Sequence, residues 1–182
     1  MRLFVAVALP ETERQRLALL GGGVPGARWL PAESLHLTLR FIGEADGHAF
    51  HDIATALQEI DAAAFDLRLR GVGYFGDRRR VRMLWAGVDG NDALRALQQR
   101  VETALTRAGL PAEGRKFHPH VTLARLRDAP LGRVERFLAD QAGYASQPLR
   151  VDEFILFSSH LGSEGAIYRA EAEFSLREAA DV

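Results

Sequence analysis

The sequence predicts an α+β fold of mostly antiparallel strands arranged as two related lobes. Three observations carry this expectation. Strand-like and helix-like apolar periods mix along the chain without a regular strand–helix–strand alternation, which argues against a parallel sheet. One short pattern occurs twice, each copy after a loop and before a helix: His36-Leu37-Thr38-Leu39 in LHLTLRFIG and His120-Val121-Thr122-Leu123 in HPHVTLARL. At 182 residues the chain is sized for one compact unit, 1–182, and no low-complexity segment or long linker divides it.

The elements follow in order. Arg2–Leu9 is rich in Val, Phe and Leu and predicts a strand, ended by Pro10. Proline suits the start of a helix, predicted from Glu11 to Leu20 and stopped by Gly21-Gly22-Gly23. Leu35–Ile42 is the strand of the first motif. His48–Ala63 has helical spacing at Phe50, Ile53, Ala54, Leu57 and Ile60. Phe65–Val72 alternates as a strand, and Val81–Val88 returns beside it after the turn at Gly76-Asp77. Asp89-Gly90-Asn91-Asp92 supplies a turn and helix caps for an amphipathic helix over Asp92–Ala108, with Gly109 as its C-cap. Phe117–Leu126 is the strand of the second motif, and Pro130–Gln141 a short helix. Leu149–Phe157 and Ala166–Leu176 close the chain as a hairpin pair.

Composition removes several function classes. There is no cysteine, so disulfides, thiolate metal sites and thiol nucleophiles are excluded. The apolar run Leu3–Leu9 is too short to span a membrane and is followed by Glu11 and Glu13, so the expectation is a cytoplasmic protein with no membrane partner. Net charge is −1, which gives no global attraction to nucleic acid. Lys116 is the only lysine beside 22 arginines. A GC-rich coding genome would account for that bias, yet arginine also suits bidentate phosphate contacts.

The repeated motif carries the chemistry. Six His and six Thr in 182 residues give a chance expectation of about 0.2 His-x-Thr pairs, and two occur. On a strand, residues two apart share a face. Each copy therefore places an imidazole beside a hydroxyl and anchors the strand by its aliphatic side. Histidine titrates near neutrality, so one imidazole can accept a proton while the other donates one. Thr38 and Thr122 are candidate donors to phosphate oxygens. Taken alone, a strand threonine reads as a solvent-facing β-former; beside a candidate catalytic histidine it reads as part of the site.

Strand parity also places Arg40 on the face of His36 and Thr38, as a source of phosphate charge, and Arg125 on the face opposite Thr122 unless a bulge re-aims it. His118 falls on the His120 face across Pro119. A zinc site from His36, His118 and His120 is conceivable, but no carboxylate lies near either motif in sequence. The expectation is therefore no metal and no cofactor, with His118 a cleft-edge or surface residue. Arg78-Arg79-Arg80 with Arg82 sits at a turn and reads as a solvated surface able to steer an RNA end. His48, His51 and His160 have no supporting pattern. Trp29, Phe41, Tyr74, Phe75, Trp85, Phe117 and Tyr168 read as core by default.

The paired motifs resemble the 2H phosphoesterase superfamily, and within it the RNA 2′,3′-cyclic phosphodiesterases, also named 2′-5′ RNA ligases. The likeness runs almost end to end: RLFVAVALP, Trp29 before LHLTLRFIG, FGDRRRVRMLWAGV, KFHPHVTLAR, and LFSSHLGSEGAIYRAEAEFSL with Ser159, Gly165, Tyr168 and Phe174 in place. The resemblance implies a LigT-like fold, bilobal, with two pseudo-symmetric antiparallel sheets and outer helices around a central cleft. It implies metal-free hydrolysis of an RNA 2′,3′-cyclic phosphate end, or of a cyclic nucleotide, to a 2′-phosphate, with ligation as the reverse reaction. His36 is then the proton donor and His120 the proton acceptor. Thr38, Thr122 and Arg125 hold the phosphate, and the protein is expected to act as a monomer. Two rival readings keep the same residues: a phosphodiesterase of 2′-5′ oligonucleotides or small cyclic nucleotides, and a non-catalytic RNA-end-binding module.

Overall fold

Ten strands and four helices make up the computed structural model, which describes residues 1–178. In chain order they are β1 (Arg2–Ala8), α1 (Glu11–Ala18), β2 (Ala27–Trp29), β3 (His36–Glu44), α2 (Gly47–Gln58), β4 (Phe65–Leu67), β5 (Leu69–Gly76), β6 (Val81–Val88), α3 (Asp92–Arg107), β7 (His120–Leu126), α4 (Leu131–Asp140), β8 (Leu149–Val151), β9 (Glu153–Gly162) and β10 (Gly165–Ser175). Two of the four helices, α2 and α3, begin at side-chain caps, and α1 and α4 begin after a proline. The Asp46 side chain accepts from the Ala49 amide at 2.9 Å, and Asn91 from the Leu94 amide at 2.9 Å. Gly109, at φ 99°, closes α3 in the left-handed region.

The main sheet runs β10-β9-β1-β3-β7-β6-β5, with β2 added on β7, and every named strand pair in it is antiparallel. Its two halves correspond to the two expected lobes. They meet at one register pair, Leu37 opposite Val121, so the two sheets expected from sequence are joined into a single ladder. A separate two-stranded sheet pairs β4 with β8. The core lies on the helix-covered face, where Leu3, Val5 and Val7 meet Leu37, Leu39, Val121 and Leu123, with Leu94, Leu97, Val101 and Leu105 of α3. Burial of such a stripe is the main force holding a helix on a sheet.

Helix α2 ends at Gln58, short of the expected Ala63, β7 starts at His120, not Phe117, and three further details depart from the sequence reading. The strand expected over 65–72 breaks at Arg68, so that Phe65–Leu67 pairs with β8 while Leu69 onward joins the main sheet. The first strand of the closing pair is likewise split at Asp152. β2 is absent from the sequence expectation; three residues are too few to show a period. No helix of the described residues is long and apolar enough to cross a membrane.

Candidate active site

Both motifs sit at the start of a long strand, and both strands carry the same irregularity. On β3, Ala6 opposes Thr38 and Val5 opposes Arg40, so Leu39 is an extra residue. On β7, Trp85 opposes Thr122 and Leu84 opposes Ala124, so Leu123 is an extra residue. A bulge of this kind reverses strand parity beyond it. The burial pattern is the same in both: His36 and Thr38 half-exposed, Leu37, Leu39 and Arg40 buried, Phe41 exposed; His120 and Thr122 half-exposed, Val121, Leu123 and Ala124 buried, Arg125 exposed.

This parity change corrects one expectation and resolves another. Arg40 does not face the cleft. It is 7% exposed on the helix side, where its Nε lies 3.0 Å from the Glu102 carboxylate of α3 and its Nη2 donates to the Pro111 carbonyl. Phe41, read from sequence as core, takes the cleft face instead and is 61% exposed. Arg125 returns to the face of His120 and Thr122, the re-aiming by a bulge that simple alternation could not supply.

The register pair Leu37–Val121 brings the halves together. Both residues are fully buried, so their neighbours point the other way, into the cleft. Continuing that register by one residue sets His36 opposite Thr122 and Thr38 opposite His120. Beyond that pair β3 and β7 make no further ladder pairs with each other.

Each imidazole is held in the same way. His36 Nδ1 donates to the Ser34 carbonyl at 2.8 Å, and His120 Nδ1 to the His118 carbonyl at 2.7 Å. A carbonyl only accepts, so Nδ1 carries the hydrogen in both rings and Nε2 is left to face the cleft. His36 Nε2 lies 3.0 Å from the Thr38 hydroxyl. The Thr122 hydroxyl instead donates to the Met83 sulfur at 3.4 Å. Burial pushes both imidazoles below the ordinary value of 6.5. The carbonyl bonds oppose that shift; the charge of His120 adds to it at His36, and that of His118 adds to it at His120.

Aromatic rings wall both sites. Around His36 stand Phe4, with ring centroids 4.9 Å apart, and Tyr168, nearly perpendicular at 5.1 Å. Around His120 stand Phe75, perpendicular at 4.8 Å, and Trp85 at 6.3 Å. His118 packs on Trp85 at 5.0 Å, which makes it part of this wall. Trp85 lies flat on Gly73, where a Cβ would meet the indole at 2.3 Å. The sequence does not reveal these ring placements, because the default reading of an aromatic is core. The remaining histidines lie elsewhere. His160 bonds the buried Ser158 hydroxyl at 2.8 Å, which in turn donates to Glu171. His48 and His51 are on α2, the latter on an outer groove of about 660 Å³ between α2 and α3.

The model of the 2′-5′ RNA ligase superfamily matches residues 11–163. The chain belongs to that superfamily. Two similar superfamily proteins, each named RNA 2′,3′-cyclic phosphodiesterase, come from Aeropyrum pernix and Thermus thermophilus. The first is 35% identical over 86% of this chain and 89% of its own length. The second is 36% identical over 97% of this chain and 91% of its own length. Among solved structures, one from Thermus thermophilus superposes with a TM-score of 0.82 at 28% identity, covering 98% of this chain and 99% of that one. E. coli LigT complexed with 3′-AMP superposes with a TM-score of 0.75 at 27% identity, covering 96% and 97%. The superfamily fold is thus the LigT-like one, and the two motifs fall inside the matched region.

Proposed function

We propose that this protein hydrolyses RNA 2′,3′-cyclic phosphate ends to 2′-phosphate ends. The observation that carries the reading is the common cleft face of His36, Thr38, His120 and Thr122, with both Nδ1 atoms tied to carbonyls so that both Nε2 atoms remain for proton transfer. The names of its superfamily relatives support the substrate class.

In this mechanism His120 Nε2 takes a proton from water as the water oxygen attacks phosphorus. His36, protonated at Nε2, gives its proton to the departing 3′-oxygen. The P–O3′ bond breaks and the phosphate stays on O2′. Thr38, Thr122 and Arg125 hold the phosphoryl oxygens, where charge accumulates. The donor and acceptor assignment follows the family resemblance, because the two half-sites are nearly symmetric. Phe41 offers an exposed ring on which the terminal base can stack. Run backward, with a ribose 5′-hydroxyl in place of water, the same groups form a 2′–5′ linkage. We place the protein in the cytoplasm as a monomeric single unit over 1–182, in keeping with a chain that uses no cysteine.

The test is product analysis on a defined oligonucleotide with a 2′,3′-cyclic end, with and without EDTA. The expected product is the 2′-phosphate, at a rate the chelator does not change. A 3′-phosphate product, or loss of turnover in EDTA, overturns the mechanism.

A further inference from the structure

β2, the strand absent from the sequence reading, brings a second arginine to the site. Its register on β7 sets Ala27 opposite Leu126, Arg28 opposite Arg125 and Trp29 opposite Ala124. Ala124 is buried, and Trp29 packs against Phe137 of α4 with ring centroids 5.3 Å apart. Those two side chains therefore occupy the helix-covered face, and Arg28 shares the cleft face with Arg125.

Two guanidinium-bearing residues directly opposite each other on an antiparallel pair repel. Among the described residues, no carboxylate forms an ion pair with either of them. Arg28 is nevertheless held in place. Its Nη2 donates to the Glu164 carbonyl at 2.8 Å, at the tip of the β9–β10 hairpin. The same guanidinium lies so close to Gly165 that a Cβ there would meet Nη2 at 2.8 Å. That hairpin carries Tyr168 against His36, so Arg28 reaches from the His120 half of the cleft to the strands that wall the other half. Two like charges opposite each other without a protein counter-charge, one of them held by the hairpin, make an anion site, and one strand spacing, about 4.8 Å, separates the strands that carry them.

We infer that Arg28 binds the phosphodiester next to the reacting cyclic phosphate, and so makes the enzyme prefer cyclic-ended oligonucleotides over cyclic mononucleotides. The inference rests on the proposed reaction: Arg125 takes the reacting phosphate and Arg28 the one 5′ to it, which a mononucleotide lacks.

The experiment compares a cyclic-ended trinucleotide with a 2′,3′-cyclic mononucleotide for the wild type, Arg28→Ala and Arg28→Lys. The ratio of kcat/KM for the two substrates should fall about tenfold in Arg28→Ala and recover in part in Arg28→Lys. The log–log salt dependence for the trinucleotide should lose about 0.7 in slope, the value for one phosphate contact on a single strand. An unchanged ratio, or equal losses on both substrates, overturns the inference; equal losses would mean that Arg28 acts only through the hairpin. Binding of the 2′-phosphate trinucleotide, measured without turnover, must weaken in the same sense, and an unchanged Kd overturns the inference whether or not the protein hydrolyses anything. A wild type that binds this trinucleotide through Arg28 but turns over neither substrate would overturn the proposed reaction and leave the anion site standing.

Discussion

The two halves of the cleft share a backbone and differ in what hangs on it. Both have a histidine tied through Nδ1 to a carbonyl two residues earlier, a threonine two residues later and a bulge after that. In the first half the residue that regains the cleft after the bulge is Phe41; in the second it is Arg125. The buried residue before it is Arg40, paired with Glu102, in one half and Ala124 in the other. The imidazole of the first half touches its own threonine, whereas Thr122 turns to Met83. One backbone device, used twice, thus presents an apolar ring on one side and a cation on the other. Chemical asymmetry comes from side chains, and the backbone supplies only equivalence of position.

The equivalence of the two halves is tested most directly at the histidines. His36→Ala and His120→Ala should each lower kcat by about 10² or more, the scale for losing a positioned acid or base. A near-wild-type rate in either variant removes that half from proton transfer. The next contrast sets Arg125 against Phe41. Arg125→Ala should cost about 10² in kcat/KM through lost stabilisation of phosphoryl charge. Phe41→Ala should raise KM about tenfold with kcat nearly retained, the size of one lost base–aromatic stack. If both variants shift the same parameter by the same factor, the two post-bulge positions do not have distinct roles.

The smallest effect is on pH dependence. The base must be neutral, so activity rises as pH climbs through its pKa; the acid must be protonated, so activity falls as pH climbs through its own. Burial holds both imidazoles below 6.5 in the free protein. The bell in kcat/KM, which reports the free enzyme, should therefore peak on the acid side of 6.5. A bound phosphate anion favours imidazolium, so the kcat bell should peak at higher pH than the kcat/KM bell. Superimposable profiles would mean that the anion does not sit between the two rings.

Much of this architecture is legible in the sequence. The apolar period of 92–108 and the cap at Asn91 place α3, the apolar spacing from Phe50 to Ile60 places α2, and the repeated His-x-Thr pattern marks both cleft strands. What the sequence hides is non-local. Period-two counting runs straight through Leu39 and Leu123, because an inserted leucine looks like any other core leucine; it therefore points Arg40 inward to the cleft and Arg125 away. The family resemblance keeps Arg125 in view where parity alone turns it away. β2 is invisible because its pairing partner is almost a hundred residues distant, and with it the Arg28–Arg125 pair. The breaks at Arg68 and Asp152 depend on which sheet each fragment joins, which local alternation does not encode.

The twin bulges also change what a cleft strand can display. An unbroken strand shows alternate residues, so a third functional side chain would fall at the fourth position after the histidine. Here it falls at the fifth: His36, Thr38, Phe41 and His120, Thr122, Arg125 follow a two-then-three spacing. The inserted leucine lengthens the reach of the motif by one residue while remaining in the core, 3% exposed at Leu39 and 2% at Leu123. The working unit of this cleft is a six-residue word with three letters facing in, and a four-residue reading stops just short of the letter by which the two halves differ most.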